Sequence, residues 1–246
     1  MALVVLRRQA ILDLLRRYGG MSTHELAKRL GVSEATIRRD LASLAQQGLL
    51  QRDHGGAFLS EGEPPYALKL KQNRESKEAI AKKALEFVSE GDTVILDSGT
   101  TTLALARLLA GKPIRAIALD VPVAQVMAKG DTEVLIVGGI VRNGFYSLVG
   151  PWACEFLDGL RADVFFMGAD AFDLDGVTNY TFEEAVVKRK AMAVSQATVL
   201  LADRSKWGRR APAFVAPLTS LSQIITDFYD ATLAVKVPLE VVHAEI

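Results

Sequence analysis

Gly31 to Ala57 reads GVSEATIRRDLASLAQQGLLQRDHGGA, and this stretch decides the N-terminal fold. Ser33 is a good helix N-cap, since its hydroxyl can accept from a first-turn amide, and Val32 and Ile37 can close a hydrophobic staple around it. Ile37, Leu41 and Leu44 repeat at helical spacing and mark one buried stripe. At about 100° per residue, the opposite face carries Ala35, Thr36, Arg39, Ala42, Ser43 and Gln46, with Arg38 on the flank. Small residues around an arginine suit a helix that enters a DNA major groove. The arginine reaches guanine or phosphate, and nothing bulky holds the backbone away. Gly48 is expected to end the helix, and Leu49 to Arg52 then reads as a strand turning at Gly55-Gly56. Helix, strand, glycine turn and strand are the parts of a winged helix-turn-helix.

Upstream, Arg7 to Arg17 carries Ala10, Ile11, Leu14 and Leu15 at helical spacing and is closed by Gly19-Gly20. Ser22 begins a second helix with a capping box, because Glu25 stands at N3 and Met21 can staple to Leu26. Arg7, Arg8, Arg16, Arg17 and Lys28 read as solvated surface. An amphipathic helix and hairpin of some other small domain is the plain alternative, and the individual residues go beyond it. Ser33, Thr36-Ile37-Arg38-Arg39-Asp40-Leu41, Leu44, Gly48, Leu50, Arg52 and His54-Gly55-Gly56-Ala57 resemble, nearly position for position, the DNA-binding signature of the DeoR family of bacterial transcription regulators. The resemblance implies a double-stranded DNA operator as partner, met by Ser33, Ala35, Thr36, Arg38, Arg39, Ser43, His54 and Gly55. Asp40, nearer the buried side, is expected to pair within the protein.

Half of the 246 residues are hydrophobic and 24% are charged, enough for a sizeable core in one large domain or two small ones. The zero net charge conceals an asymmetry. Through Phe58 there are nine Lys and Arg against five Asp and Glu, or +4, and the remaining twenty against twenty-four give −4. A basic head on an acidic body suits phosphate binding by the N-terminal part. Cys154 is the only cysteine, so no intrachain disulfide forms and a reducing cytoplasm is expected. Met1 to Leu6 is apolar ahead of its arginines, the reverse of a signal peptide, and too short to span a bilayer.

SEGEPPYALKLKQN, residues 60–73, has two prolines, mixed charge and no period, and reads as a linker. The expected organisation is a winged helix-turn-helix over 1–58, a linker over 59–74 and a sensor domain over 75–246. Glu75 to Ser89 is an amphipathic helix through Ile80, Ala84, Leu85 and Val88. Beyond it, short apolar runs alternate with helical stretches. Thr93–Leu96, Ile114–Leu119, Val134–Val137, Val164–Met167, Thr198–Leu201, Ile224–Thr226 and Leu239–Val242 are the strand candidates, and helices between them imply a mostly parallel α/β sheet.

The sharpest chemical signal is a strand, loop and helix: Thr93-Val-Ile-Leu-Asp97-Ser98-Gly99-Thr100-Thr101-Thr102, then Leu103 to Leu109. Gly99 allows close approach, hydroxyls stand ready, and amides at a helix start attract an anion. Plain N-capping by Ser and Thr is the alternative. No GxxxxGK[ST] or GxGxxG is present, so a small phosphate ester fits better than a nucleotide. Gly138-Gly139-Ile-Val-Arg142 and Ser147-Leu-Val-Gly150 mark backbone crowding near a strand end, with Arg142 facing an anion or an exposed salt bridge. Gly168-Ala169-Asp170 follows a buried strand, where ligand sites of open α/β sheets collect. Thr181 can cap a helix that carries Glu183-Glu184 in its first turn and Lys188-Arg189-Lys190 later, charges that also complement the dipole. Asp203, Ser205 and Lys206 come just past a strand, where a structural ion pair is the alternative. His24, His54 and His243 lie far apart, and Cys154 stands alone, so no metal site and no cofactor is expected.

DSGTTT, GG-x-x-R, S-x-x-G, GAD, EEA-x-x-K and D-x-SK-x-G resemble, in order and spacing, the sugar-phosphate sensor domain of DeoR-type regulators, so the resemblance runs from about Arg7 to Asp227. It implies a cytoplasmic repressor of a carbohydrate-catabolism operon, a homo-oligomer of two or more copies with no membrane contact, whose C-terminal domain binds a phosphorylated sugar or related metabolite. Asp97 to Thr102 would cradle that effector, with Gly139, Arg142, Asp170, Glu183, Lys188, Asp203 and Lys206 lining the pocket. One departure stands out: family members usually carry Thr-Asn after the second strand, and this chain has Ala118-Leu119-Asp120. The sensor domain is similar to ribose-5-phosphate isomerase, which makes a sugar-phosphate isomerase-like enzyme the alternative, with Glu184, Asp203 and Lys206 as proton carriers. Against it, Phe172-Asp-Leu-Asp-Gly176-Val lacks the lysine and glycine cluster that such an enzyme carries there. No catalytic residue is therefore assigned.

Overall fold

The computed structural model describes residues 2–18, 20–47, 49–53, 55–59, 63–64, 66–128 and 131–243. The chain divides into two compact units, Met1–Gln72 with Asn143–Phe145, and Asn73–Arg142 with Tyr146–Ile246.

The first unit runs α1 (Ala2–Tyr18), β1 (Met21–Ser22), α2 (Thr23–Leu30), α3 (Glu34–Gln46), β2 (Leu50–Asp53), β3 (Gly56–Leu59) and α4 (Tyr66–Lys71). Ile11 and Leu15 of α1, Leu26 of α2 and Ile37 and Leu41 of α3 bury fully against one another, which is the face their 3.6-residue period requires. Ser22 and Glu25 form the capping box, and α2 ends at Gly31, whose φ of 66° is the left-handed turn that glycine adopts without penalty. The three short strands pair in the order β1-β3-β2. A side chain on Gly56 would run into the carbonyl oxygen of Met21, so only glycine lets β3 approach β1. Gly48 and His54 lie outside the described residues. The stretch 59–74, expected as a linker, instead contains α4, which buries Tyr66 and Leu68. Six residues are too few to show a period.

The second unit runs α5 (Arg74–Ala84), β4 (Thr93–Leu96), α6 (Thr100–Leu109), β5 (Arg115–Ala118), α7 (Val121–Met127), β6 (Glu133–Ile136), β7 (Ile140–Val141), β8 (Leu148–Val149), α8 (Pro151–Asp158), β9 (Ala162–Met167), β10 (Ala171–Asp173), β11 (Gly176–Asn179), α9 (Phe182–Val194), β12 (Ser195–Leu201), β13 (Ala213–Ala216), β14 (Gln223–Thr226), α10 (Ala231–Lys236) and β15 (Leu239–Val241). Seven of these strands form one parallel sheet in the order β15-β14-β12-β9-β4-β5-β6. They are the seven expected from the apolar runs. Their central residues, such as Ile95, Ile117, Phe165 and Leu200, are fully buried because helices cover both faces. An antiparallel sheet, β10-β11-β13, and the pair β7-β8 were not expected.

The order of the strands fixes where a ligand can sit. From β4 the chain adds β5 and β6 on one side, then returns to place β9, β12, β14 and β15 on the other. The direction reverses between β4 and β9, and the crevice beyond the carboxyl ends at such a switch point is where open α/β sheets bind ligands.

Candidate functional site

In the first unit, α3 presents its polar face to solvent. Ser33 caps the helix by accepting from the Thr36 amide at 3.3 Å, and the two hydroxyls hydrogen-bond at 2.9 Å. Ala35, Arg38 and Arg39 are exposed, Thr36 and Ser43 half-buried. Arg38 donates to Glu34 one turn back, whereas Arg39 has no partner among the described residues. Gly55 is exposed, and its carbonyl accepts from the Thr23 amide at 2.7 Å. Asp40 lies on the buried side, as expected, and receives Arg7 at 2.6 Å and Arg8 at 3.0 Å. Those two arginines, read as solvated surface, instead tie α1 to α3. Burial pushes the Asp40 carboxyl up, but hydrogen bonds from Arg7 and Arg8 outweigh it and hold the carboxyl below its usual value.

In the second unit, Asp97, Asp120, Gly168, Asp170 and Asp203 all follow the carboxyl ends of parallel strands, so the topology places them on one edge. Asp97, at the end of β4, is almost wholly buried. It accepts from its neighbour Ser98 and from Gly168 at the end of β9, each at 2.8 Å, and pairs with Lys188 of α9. Lys188 also donates to the Gly168 carbonyl at 2.9 Å, so one ammonium bridges the switch point. Burial pushes the Asp97 carboxyl above its usual range, opposed by the Lys188 ammonium and the Gly168 amide.

A second ion pair lies in the same buried network. Glu184 of α9 receives Arg142 at 2.5 Å and the Ser147 hydroxyl at 2.6 Å on one oxygen, and the Asn179 amide at 2.9 Å on the other. Glu184 and Asn179, which were not expected to line the pocket, are buried in this network, and Glu183, which was, is exposed. Thr181 makes no side-chain cap, and its hydroxyl is left unpartnered among the described residues.

The start of α6 is shaped differently from a capped helix. Its N-cap, Gly99, has no side chain to cap with, and Ser98, Thr100, Thr101 and Thr102 stand around it. Thr102 turns its hydroxyl back to the Gly99 carbonyl at 3.0 Å. Gly99 has a φ of 133°, a conformation that favours glycine. Its amide donates at 3.2 Å to Asp120, which also caps α7 through the Val123 amide at 2.7 Å. Asp120 is fully buried, and burial raises its carboxyl to about 7, with the Asp97 and Glu184 charges adding to the rise. Asp170 accepts from the Tyr180 amide at 3.1 Å, and Asp203 accepts from Ser205 at 2.9 Å and from Asn73 at 2.8 Å. Lys206 is half-buried in the turn after β12. Gly139, half-buried, cannot carry a side chain without striking the Val149 carbonyl.

A winged helix-turn-helix joined to an open α/β domain with buried charge at its ligand-binding edge defines a DNA-binding regulator with a sensor domain. The family models agree: the DeoR-like helix-turn-helix domain matches residues 7–62 and the DeoR C terminal sensor domain matches residues 72–228. This chain belongs to the DeoR family of transcriptional regulators. It is 38% identical over 226 residues to the HTH-type transcriptional regulator GlpR of Haloferax volcanii, covering 90% of this chain and 89% of that protein. The glycerol-3-phosphate regulon repressor of Escherichia coli is 33% identical over 226 residues, covering 90% of each. GolR of Listeria innocua is 32% identical over 247 residues, covering 94% of this chain and 97% of that one. Among solved structures, ribose 5 phosphate isomerase A from Neisseria gonorrhoeae is 22% identical with a TM-score of 0.43, over 58% of this chain and 56% of that one. The family is one of regulators, so the isomerase alternative falls. Among the described residues no helix is long and apolar enough to cross a membrane.

Proposed function

We propose that this chain is a cytoplasmic repressor of a carbohydrate-catabolism operon, and that a phosphorylated sugar or related metabolite bound in the second unit changes its operator affinity. The observation that carries the reading is the start of α6, where the N-cap is a glycine without a side chain and hydroxyl residues stand around the first turn. First-turn amides without intrahelical partners attract a phosphate. The effector would lie along Asp97 to Thr102, with Lys206, Asp170 and Gly139 around it and Lys188 and Arg142 acting from their ion pairs. A named relative, the glycerol-3-phosphate regulon repressor, supports a phosphorylated polyol or sugar. Ser33, Ala35, Thr36, Arg38, Arg39 and Ser43 would face the operator together with His54 and Gly55. A single winged helix covers one short half-site, so we expect at least a dimer.

A panel of phosphorylated sugars and polyols, with their unphosphorylated parents as controls, tests this by thermal shift and by operator gel shift. One phosphorylated compound should raise the melting midpoint and change operator affinity while its parent does neither. If no phosphorylated compound does both, the reading is wrong, because a ligand without preference between two states cannot shift them. Light scattering of the full chain at micromolar concentration tests assembly, and a monomer refutes it.

A further inference from the structure

Two buried carboxylates of the second unit have a cation of their own: Asp97 has Lys188, and Glu184 has Arg142. Asp120 has none. Among the described residues its two oxygens meet only amides, Val123 at 2.7 Å and Gly99 at 3.2 Å. Asp97 faces it from the end of β4, and Glu184 faces it from α9; both are acidic. Lys188, on the same helix, is turned to Asp97, and Arg142, after β7, to Glu184. Its own helix, Val121–Met127, carries no charged residue. Asp120 therefore holds the amide of Gly99, the N-cap of α6, at the helix start that an anionic ligand would use, in a place where a second negative charge is unfavourable. A separate observation bears on the same polar network. Asn179 is 3% exposed and donates to Glu184, yet its carbonyl oxygen accepts no hydrogen bond among the described residues. A buried acceptor without a donor is costly unless something supplies one.

We infer that Asp120 couples anion binding at this site to proton uptake: ionised, it holds the Gly99 amide itself, and it must take up one proton from solvent before an anion can sit there. Protonated, the carboxyl releases the amide and its O–H becomes a donor to a ligand oxygen, so ligand and proton bind together. The inference rests on reading the start of α6 as the anion seat. Its size follows from the titration of the carboxyl at about 7. If only the protonated form binds, apparent affinity scales with the protonated fraction, which falls about tenfold from pH 6 to pH 8.

Isothermal titration calorimetry of the full chain from pH 6 to pH 8 tests this, with inorganic sulfate and glycerol 3-phosphate as probes. Sulfate keeps a constant charge across that range, whereas a phosphate ester titrates near 6 itself (second pKa about 6). Asp120→Asn retains an N-cap for α7 and removes the titration; Asp120→Ser does the same and replaces it if the first variant fails to fold. Wild type should bind sulfate about tenfold more tightly at pH 6 than at pH 8 and take up protons from buffer at pH 8, while the variant shows neither. Sulfate affinity flat with pH in wild type, or the same slope in the variant, overturns the proton coupling and leaves the anion seat standing. Failure of wild type and variant to bind either probe at any pH overturns both.

Discussion

Replacing Lys188 with methionine isolates the Asp97–Lys188 pair. Both side chains are at most 3% exposed, so neither charge is relieved by water. Methionine keeps the length and apolar stem of lysine and removes only the ammonium. Asp97 is then left with the amides of Ser98 and Gly168, and the Gly168 carbonyl loses its lysine donor. Breaking one side of a buried pair costs about 3–5 kcal/mol. For a unit of this size, each kcal/mol lowers the melting midpoint by roughly 2–4 °C, so a fall of roughly 6–20 °C is expected.

The pH dependence gives the prediction its sign. Burial already pushes Asp97 up, and without Lys188 nothing but amides opposes it. A carboxyl whose folded value lies above its unfolded one contributes stability at low pH and loses it as pH rises through the folded value. The deficit of Lys188→Met should therefore be full at pH 8 and shrink as pH falls towards about 4, the unfolded aspartate range. Both tryptophans, Trp152 and Trp207, belong to the second unit, so their fluorescence reads its urea unfolding. A loss under about 1 kcal/mol at pH 8, or one that does not change with pH, would refute the buried ion pair.

Arg39→Ala should weaken operator binding by roughly 1–3 kcal/mol with the fold intact, measured by gel shift at matched salt. Unchanged affinity places the reading face elsewhere. Asp40→Asn should cost the first unit about 1–2 kcal/mol, since Arg7 and Arg8 are only partly buried partners. The Asp40 carboxyl is held low, so that deficit is present at neutral pH and disappears as pH falls through the acid range; circular dichroism melts at pH 7 and pH 3 check it. The Asp120 carboxyl is raised from 3.8 to about 7, so wild-type stability should fall relative to Asp120→Asn between pH 5 and pH 7 and level off above. Parallel stability curves across that range exclude a shift of this size.

Elements whose apolar residues recur over several turns or strands were legible in the sequence. The α2 capping box and the stripe Ile37, Leu41 and Leu44 are local, and all seven strands of the parallel sheet are runs of apolar residues bounded by polar ones. Features that depend on distant partners were not. The Arg7 and Arg8 pairing to Asp40 spans 33 and 32 positions. Strands β7, β8, β10 and β11 have two to four residues each and show no pattern. Glu183 and Glu184 differ by one step around a helix, which turns one to solvent and the other into the core. A signal for which of the two is buried existed: Glu184 and Lys188 are four apart, and with Ala191 they share the face that α9 buries. Asn179 had no such signal, because it closes a short strand and its partner Glu184 is in the next helix.

The buried charges raise a question that stability alone does not answer. An ion pair taken out of water gains little over an apolar pair of the same volume, so Asp97 with Lys188 is weak evidence of a stabilising device. Its position argues for another purpose, because the pair spans the ends of β4 and β9, where the strand order reverses. Asp97→Asn combined with Lys188→Met separates the two. With both charges gone, no uncompensated ion remains, and urea unfolding should recover most of what Lys188→Met loses. If the pair serves the ligand, this restored protein should no longer respond to the phosphorylated compound that shifts wild type, as read by operator gel shift. Recovered stability with an intact ligand response would make the pair structural. Stability that stays low in the double variant would instead show that the polar shape of these side chains, and not their charge, holds β4 to β9.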